Sequence, residues 1–459
     1  MRNQTQTNVN KVCFITLGCS SNQAETEIMS GILSENGYII VNSKEEADII
    51  VVNICTVKGD KSALEAINEV QNHVDSESKS GNHKHIVVAG CIPPTRDYVF
   101  KEAAPEAAFV KTDNIHKIAE VVDELIKGNS LTLMGRNSES KTNFSNIRGN
   151  KNIAIIPINN SCNDACTFCG VKLIKGRLLS YPKEEIILSI KRALIIGCKE
   201  VWITSQDTGA YGIDLNGRCM LPDLIRSITS IPLDFKLRVG MFNPMNIVGV
   251  EKELIDAYSN PKVFKFAHIP LQSGSDYVLK RMKRRYTKKQ FLSLVELFRN
   301  NFPELTFATD VIVGFPGEKE EDFKQTVDVL NVTKPEVMHI SKFVEIPNTA
   351  ATLLSEKVHG RIASERSRIL AQLHRDISEA QNKKWLGWEG ECIVFDINHE
   401  KGDYIAHNDS YLQVIIRGED KALLGKKVNV KIIGTNKHYL IGEVIGIVEE
   451  KPIGIVIRV

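Results

Sequence analysis

Apolar residues in the first quarter of the chain come in short continuous runs separated by amphipathic stretches. Residues 11–17, 48–54 and 85–89 are rich in Val and Ile and too short for helices, which predicts strands of a parallel sheet buried on both faces. The stretch 23–35, stopping ahead of Gly37, predicts a helix between the first two. Alternation of this kind predicts a doubly wound α/β domain over residues 1–130. From 131 to 150 the periodicity is lost among Ser, Asn and Lys, as in a linker. It resumes with predicted strands at 153–158, 200–204, 236–238, 265–269, 306–313 and 337–343. Six strands with intervening helices predict a partial or full parallel β/α barrel, and with the long polar helix expected at 361–384 they make a second domain over 151–384. The period then shortens. Runs at 391–397, 412–416, 427–433, 439–448 and 453–459 predict a small all-β barrel of OB-like size over 385–459.

The composition, 42% hydrophobic and 25% charged over 459 residues, suits a globular chain of two to four domains and excludes a disordered, coiled-coil or collagenous protein. No apolar run approaches the roughly 18–20 residues of a membrane span. The polar first ten residues lack the apolar core of a signal peptide. A cytoplasmic monomer with no membrane partner is expected. Net charge is only +2 but uneven: residues 1–130 hold 12 Lys and Arg against 18 Asp and Glu, residues 131–384 hold 37 against 27, and residues 385–459 hold 9 against 11. A basic middle between acidic ends suggests an anionic partner for the middle. Scattered surface lysines would give the same counts.

Ten cysteines in such a chain point to metal, catalysis or burial rather than disulfides, because the cytosol is reducing. Cys162, Cys166 and Cys169 form a C-x3-C-x2-C loop directly after the first predicted barrel strand. Thiolates suit iron–sulfur clusters or zinc. Three of them with no nearby fourth Cys or His argue against a closed tetrahedral zinc site. A zinc loop borrowing a distant ligand, or three buried thiols, are the competing readings. A cubane on three cysteines keeps one iron open, as a radical-generating site requires.

On this motif the central region resembles the radical S-adenosylmethionine (SAM) enzymes. The resemblance implies a [4Fe-4S] cluster on Cys162, Cys166 and Cys169, whose open iron takes the amino and carboxylate groups of SAM, with Phe168 against the adenine. Ser205 and Gln206 follow one predicted strand, Arg238 ends another, and Gln272 and Ser273 follow a third. The barrel mouth makes these five candidate cofactor contacts, although loop polar residues of no special role are common there.

Cys19, Cys55 and Cys91 are spaced 36 residues apart, each just past a predicted strand. One strand–helix unit has about that length. Parallel strands would bring all three to one sheet edge, where open α/β folds bind ligands, with Gly18 and Gly90 allowing tight turns beside the sulfurs. Cys13, Cys198, Cys219 and Cys392 lack such context and read as buried or incidental.

This second triad narrows the resemblance to the methylthiotransferases, over nearly the whole chain. So do the stretches His268-Ile-Pro-Leu-Gln-Ser-Gly-Ser275 and Thr309-Asp-Val-Ile-Val-Gly-Phe-Pro-Gly-Glu318. The resemblance implies a second [4Fe-4S] cluster on Cys19, Cys55 and Cys91, a C-terminal TRAM domain that binds RNA, an electron donor and a sulfur source. The stretches 204–212, 238–244 and 169–177 look like the archaeal and eukaryotic branch. That branch implies methylthiolation at C2 of N6-threonylcarbamoyladenosine, position 37 of tRNA, with no role for DNA. Methylthiolation of a ribosomal protein S12 aspartate is the alternative within the family. A non-enzymatic RNA-binding protein with structural zinc sites is the alternative outside it.

Two basic groups are candidate RNA contacts. Lys280, Arg281, Lys283, Arg284 and Arg285 belong to the densest basic run, which reads as a phosphate-binding face or a solvated helix face. Lys172, Lys175 and Arg177 follow the cluster cysteines and offer a cation for the carboxylate of a threonylcarbamoyl group.

Overall fold

The structure, a computed structural model, describes residues 10–57, 59–417 and 423–448. Strands β1 (Lys11–Thr16), β2 (Ile39–Val41), β3 (Ile49–Cys55), β4 (His85–Cys91), β5 (Ala108–Lys111) and β6 (Thr132–Leu133) form one parallel sheet in the order β2-β1-β3-β4-β5-β6. The continuous apolar runs follow from its two-sided burial. Val51 and Val87 pack on one face with Ile28, Leu33 and Val122. Their neighbours Ile50, Val52 and Val88 pack on the other with Ile67, Phe100 and Phe109. Strands β2, β5 and β6 are four residues or fewer, too short to show a period. The sheet therefore reaches Leu133, inside the stretch that reads as a linker.

The rest of that stretch is fastened to the helix Ser20–Glu35. Ile147 N donates to Glu27 O at 2.9 Å, Gly149 N to Glu27 Oε1 at 3.1 Å, and Arg148 lies 3.4 Å from Glu27 Oε2.

The central domain contains β7 (Ile153–Pro157), β8 (Asn159–Asn160), β9 (Leu179–Ser180), β10 (Glu200–Thr204), β11 (Lys236–Val239), β12 (Phe266–His268), β13 (Thr306–Val313) and β14 (Val337–Lys342). Parallel sheets β7-β10-β11 and β12-β13-β14 meet at a Leu237–Val263 bridge, making an open arc of six strands. Alternate residues such as Val201, Leu237 and Phe307 point outward into the helical core. On the inner face Ile155 and Trp202 meet Phe395 and Ile405, and Phe266 meets Tyr411, all from the C-terminal domain. The helix Gly360–Lys383 is locked to the arc by a buried ion pair, Arg366 Nη1 to Glu318 Oε2 at 2.7 Å.

The last strands, β15 (Glu389–Asn398), β16 (Asp403–Asn408), β17 (Gln413–Ile416), β18 (Lys427–Thr435) and β19 (Leu440–Ile447), close into a barrel in the order β15-β16-β17-β19-β18. The sequence reading lacks β16. The expected strand at 453–459 lies outside the described residues. Among the described residues no helix is long and apolar enough to cross a membrane.

Glu27 gives a pH test of the fastened segment. Burial pushes its carboxyl up to about 7, against the opposing pull of Arg148 and the Gly149 amide. A carboxyl raised in the folded state above its unfolded value costs stability as pH rises from about 4.5 through 7. Glu27→Gln, which mimics the protonated form, is expected to raise the melting temperature at pH 8. That gain should vanish near pH 4.5, as thermal melts by circular dichroism at the two pH values would show.

Candidate active site: two cysteine triads at one domain junction

The loop carrying Cys162, Cys166 and Cys169 leaves the C-terminal end of the arc after β7 and β8. Two adjacent arginines hold it. Arg284, 8% exposed, donates to Cys166 Sγ (3.3 Å), Asn243 Oδ1 (2.5 Å) and Tyr286 Oη (3.3 Å). Arg285 donates to Asp164 Oδ1 (2.6 Å) and Asn246 Oδ1 (2.9 Å). Asn246 Nδ2 in turn donates at 2.6 Å to both Asp164 and Asp207, and Cys162 Sγ lies 3.7 Å from a carboxylate oxygen of each. Burial pushes the Cys169 thiol up to about 11 and Cys162 further, with Asp207 adding to the latter. Thiolates in such a place call for a cationic partner. Phe168 packs edge-to-face on Phe315 beside Val278 and Met282.

The second triad sits on the C-terminal edge of the first sheet. Cys55 and Cys91 are direct partners across β3 and β4. Their interaction pulls the Cys55 thiol down and, with burial, pushes Cys91 up. Cys19 stands at the N-terminus of the helix Ser20–Glu35. Gly18 has φ +133°, and a Cβ there would stand 2.7 Å from Cys55 Cβ. Gly90 has φ +103°, and its Cβ would meet Asn53 Oδ1 at 2.3 Å. At both positions only glycine lets the backbone pass so close.

The two edges face each other. Ser20 Oγ lies 2.6 Å from Thr204 Oγ1. Asn160 Nδ2 donates to Asp113 Oδ1 at 3.1 Å. Gln206 spans the junction, accepting from Ser161 N (2.9 Å) and donating to Ser21 Oγ (3.4 Å). Beneath it, Glu25 Oε1 takes Lys141 at 2.7 Å and Lys175 at 3.2 Å, all three side chains buried.

Other residues singled out in the sequence scatter. Ser205 accepts from Asp207 N. Gln272 has a left-handed backbone (φ +64°) that pairs with Asp310 and Ile312. Ser273 is fully buried in the same turn. Arg238 is drawn toward the C-terminal barrel, its guanidinium about 5 Å from the rings of Trp202, Phe266 and Tyr411. Arg281 ties down the loop after β13 through Pro316 O. Lys172 (donating to Asn163 O), Arg177, Lys280 and Lys283 are exposed. The placement corrects the basic run as a single outward face: Arg284 points inward. It also corrects Lys175, which is buried at the junction and not on a surface that RNA could touch. Asp164, Asp207, Asn243, Asn246, Glu25 and Lys141 carry the site without having been singled out. Asn243 and Asp164 lay inside motifs already in view.

Three thiols at each place are a donor set that iron–sulfur clusters use. Cys162 Sγ also lies within 4.8 Å of carboxylate oxygens of Asp164 and Asp207.

An open arc of parallel strands with a C-x3-C-x2-C loop at its C-terminal mouth defines a radical SAM enzyme, and residues 156–330 match the Radical SAM superfamily. SAM and an iron–sulfur cluster are therefore the cofactors of the central domain. Residues 11–111 match Uncharacterized protein family UPF0004, and residues 391–445 match the TRAM domain. A probable threonylcarbamoyladenosine tRNA methylthiotransferase of Pyrococcus horikoshii is 34% identical over 95% of this chain and 99% of its own. The threonylcarbamoyladenosine tRNA methylthiotransferases of Drosophila pseudoobscura pseudoobscura (36%; 95% and 77%) and Homo sapiens (34%; 95% and 74%) are similar over the same region. The chain belongs to this family of threonylcarbamoyladenosine tRNA methylthiotransferases. Among solved structures, the radical SAM methyltransferase TsrM of Kitasatospora setae shares the fold, with TM-score 0.54 at 12% identity, covering 75% of this chain and 74% of that one.

Arg284→Met leaves Asn243 and Cys166 buried without their charged donor. It is expected to cost about 2–3 kcal/mol, whereas Lys280→Met on the surface should stay within about 0.5 kcal/mol. Denaturant titration of the two variants distinguishes an inward Arg284 from a phosphate-facing one.

Proposed function

We propose that this chain transfers a methylthio group to C2 of N6-threonylcarbamoyladenosine at position 37 of tRNA, using SAM and two [4Fe-4S] clusters. Cys162, Cys166 and Cys169 would hold one cluster, and Cys19, Cys55 and Cys91 the other. The observation that supports this reading is that the edges bearing the two triads face each other at one domain junction, between which a substrate would lie. The cofactors supply homolytic chemistry, which adenine C2 requires because its C–H is too weakly acidic for any side-chain base.

The chain's own residues shape the chamber. Arg284, Arg285 and Asn246 fix the loop of the first triad, and Gly18 and Gly90 let the backbone close around the second. Gln206 and Ser20 keep the two edges in register. The C-terminal domain closes the inner face of the arc with Phe395 and Tyr411, excluding water from below. Exposed Lys280, Lys283 and Lys289 offer phosphate contacts. Lys172 and Arg177, exposed beside the first triad's loop, offer a cation for the substrate's carboxylate. In the C-terminal barrel Lys427 and Lys431 are engaged with Asp234 and Glu389, so RNA binding there would rest on other groups. An electron donor and a sulfur source complete the reaction.

Triple alanine replacement separates the sites. Without Cys162, Cys166 and Cys169 the reconstituted protein should lose roughly half its iron and all SAM cleavage. Without Cys19, Cys55 and Cys91 it should lose the other half and methylthiolation, but keep reductive SAM cleavage. Loss of all iron from either variant would contradict two independent sites.

Substrate choice is read by mass spectrometry of digested tRNA. The methylthio product is expected on threonylcarbamoyladenosine and not on isopentenyladenosine, because an apolar group has no charge to pair with the cation that Lys172 and Arg177 offer. Arg177→Ala should slow turnover on the former.

A further inference from the structure

The junction contains more positive charge than its own acids balance. Lys111 is matched by Asp113 at 2.5 Å. Glu25, however, faces two lysines, Lys141 and Lys175. Burial alone would raise the Glu25 carboxyl, yet the two cations hold it down at about 2. One buried positive charge is left over, and a buried charge is costly unless something opposite lies close.

The strand register shows what lies close. Gly90 pairs with Lys111 across β4 and β5, so Cys91 and Thr112 are the next residues on adjacent parallel strands. Lys175 Nζ sits 3.2 Å, and Lys141 Nζ 2.8 Å, from Thr112 Oγ1. Lys175 therefore reaches the sheet edge on the strand next to Cys91, with Cys55 one strand further. Lys175 does not belong to that sheet. It ends the helix Val171–Lys175, which begins two residues after Cys169.

We infer that Lys175 is a positioning cation for the N-terminal cysteine triad, delivered by the radical domain. It crosses the junction from the loop of one cluster to neutralise part of the negative charge of the other, and it holds that second cluster at a raised reduction potential. The inference rests on the two-cluster reading above. By linkage, loading of the N-terminal site and docking of the two domains favour each other.

The test uses full-length reconstituted protein carrying Cys162→Ala, Cys166→Ala and Cys169→Ala, so that only the N-terminal cluster is observed, with its midpoint followed by electron paramagnetic resonance during redox titration. Lys175→Met is expected to fold, because Glu25 keeps Lys141, and to lower the midpoint. Lys175→Arg should hold it near the parent value, and Lys141→Met, removing the cation that comes from the interdomain segment, should shift it less than Lys175→Met. If Lys175→Met loses the cluster while Lys175→Arg keeps it, the charge is required and the inference stands. Equal midpoints in Lys175→Met, Lys175→Arg and the parent, at equal iron, overturn it; so does loss of iron from both variants, which would make the side chain a packing element. A parent protein without iron overturns the two-cluster reading itself, a result distinguishable from all of these.

Discussion

A single buried carboxylate ties three separate pieces of this chain together. Glu25 comes from the first helix, Lys141 from the segment between domains, and Lys175 from the loop of the radical domain. Glu25 is buried only with a cation beside it, because alone it would be a charge stranded away from water. The orientation of the two domains, and so the approach of the two cysteine triads, depends on that cluster more than on apolar contact. The cores of the first two domains are separate, and polar pairs such as Ser20–Thr204 and Gln206–Ser21 cross the boundary.

The sequence makes some of this readable and hides the rest for physical reasons. Cys19, Cys55 and Cys91 can be placed together from spacing alone, because parallel strands of equal repeat put equivalent positions on one edge whatever their distance along the chain. The six strands of the arc stand out for a related reason: both of their faces are covered. Strand β16 does not, because its residues His407 and Asn408 are polar yet buried, His407 pairing with the buried Glu200.

Basic residues mislead most. Charge counting treats every Lys and Arg as outward, yet Lys283, Arg284, Arg285 and Tyr286 alternate exposed, buried, exposed, buried. The buried members face the Cys166 sulfur and a backbone carbonyl. Three consecutive basic residues give no sign of which one turns inward. Part of the positive charge of the middle region is thus internal: Arg284, Lys175 and Arg366 answer sulfur or carboxylate within the protein. The field offered to an anionic partner is smaller than the count suggests, and it comes from fewer side chains.

The direct pairing of Cys55 with Cys91 across neighbouring strands has a chemical cost. Adjacent parallel strands hold paired Cα atoms at about the separation a disulfide spans, and Cys55 and Cys91 are such a pair. Oxidation that joined them would consume two of the three thiols gathered at the edge and leave Cys19 alone until a reductant reopened the bond. The register that brings the three thiols together therefore also exposes the edge to oxidation.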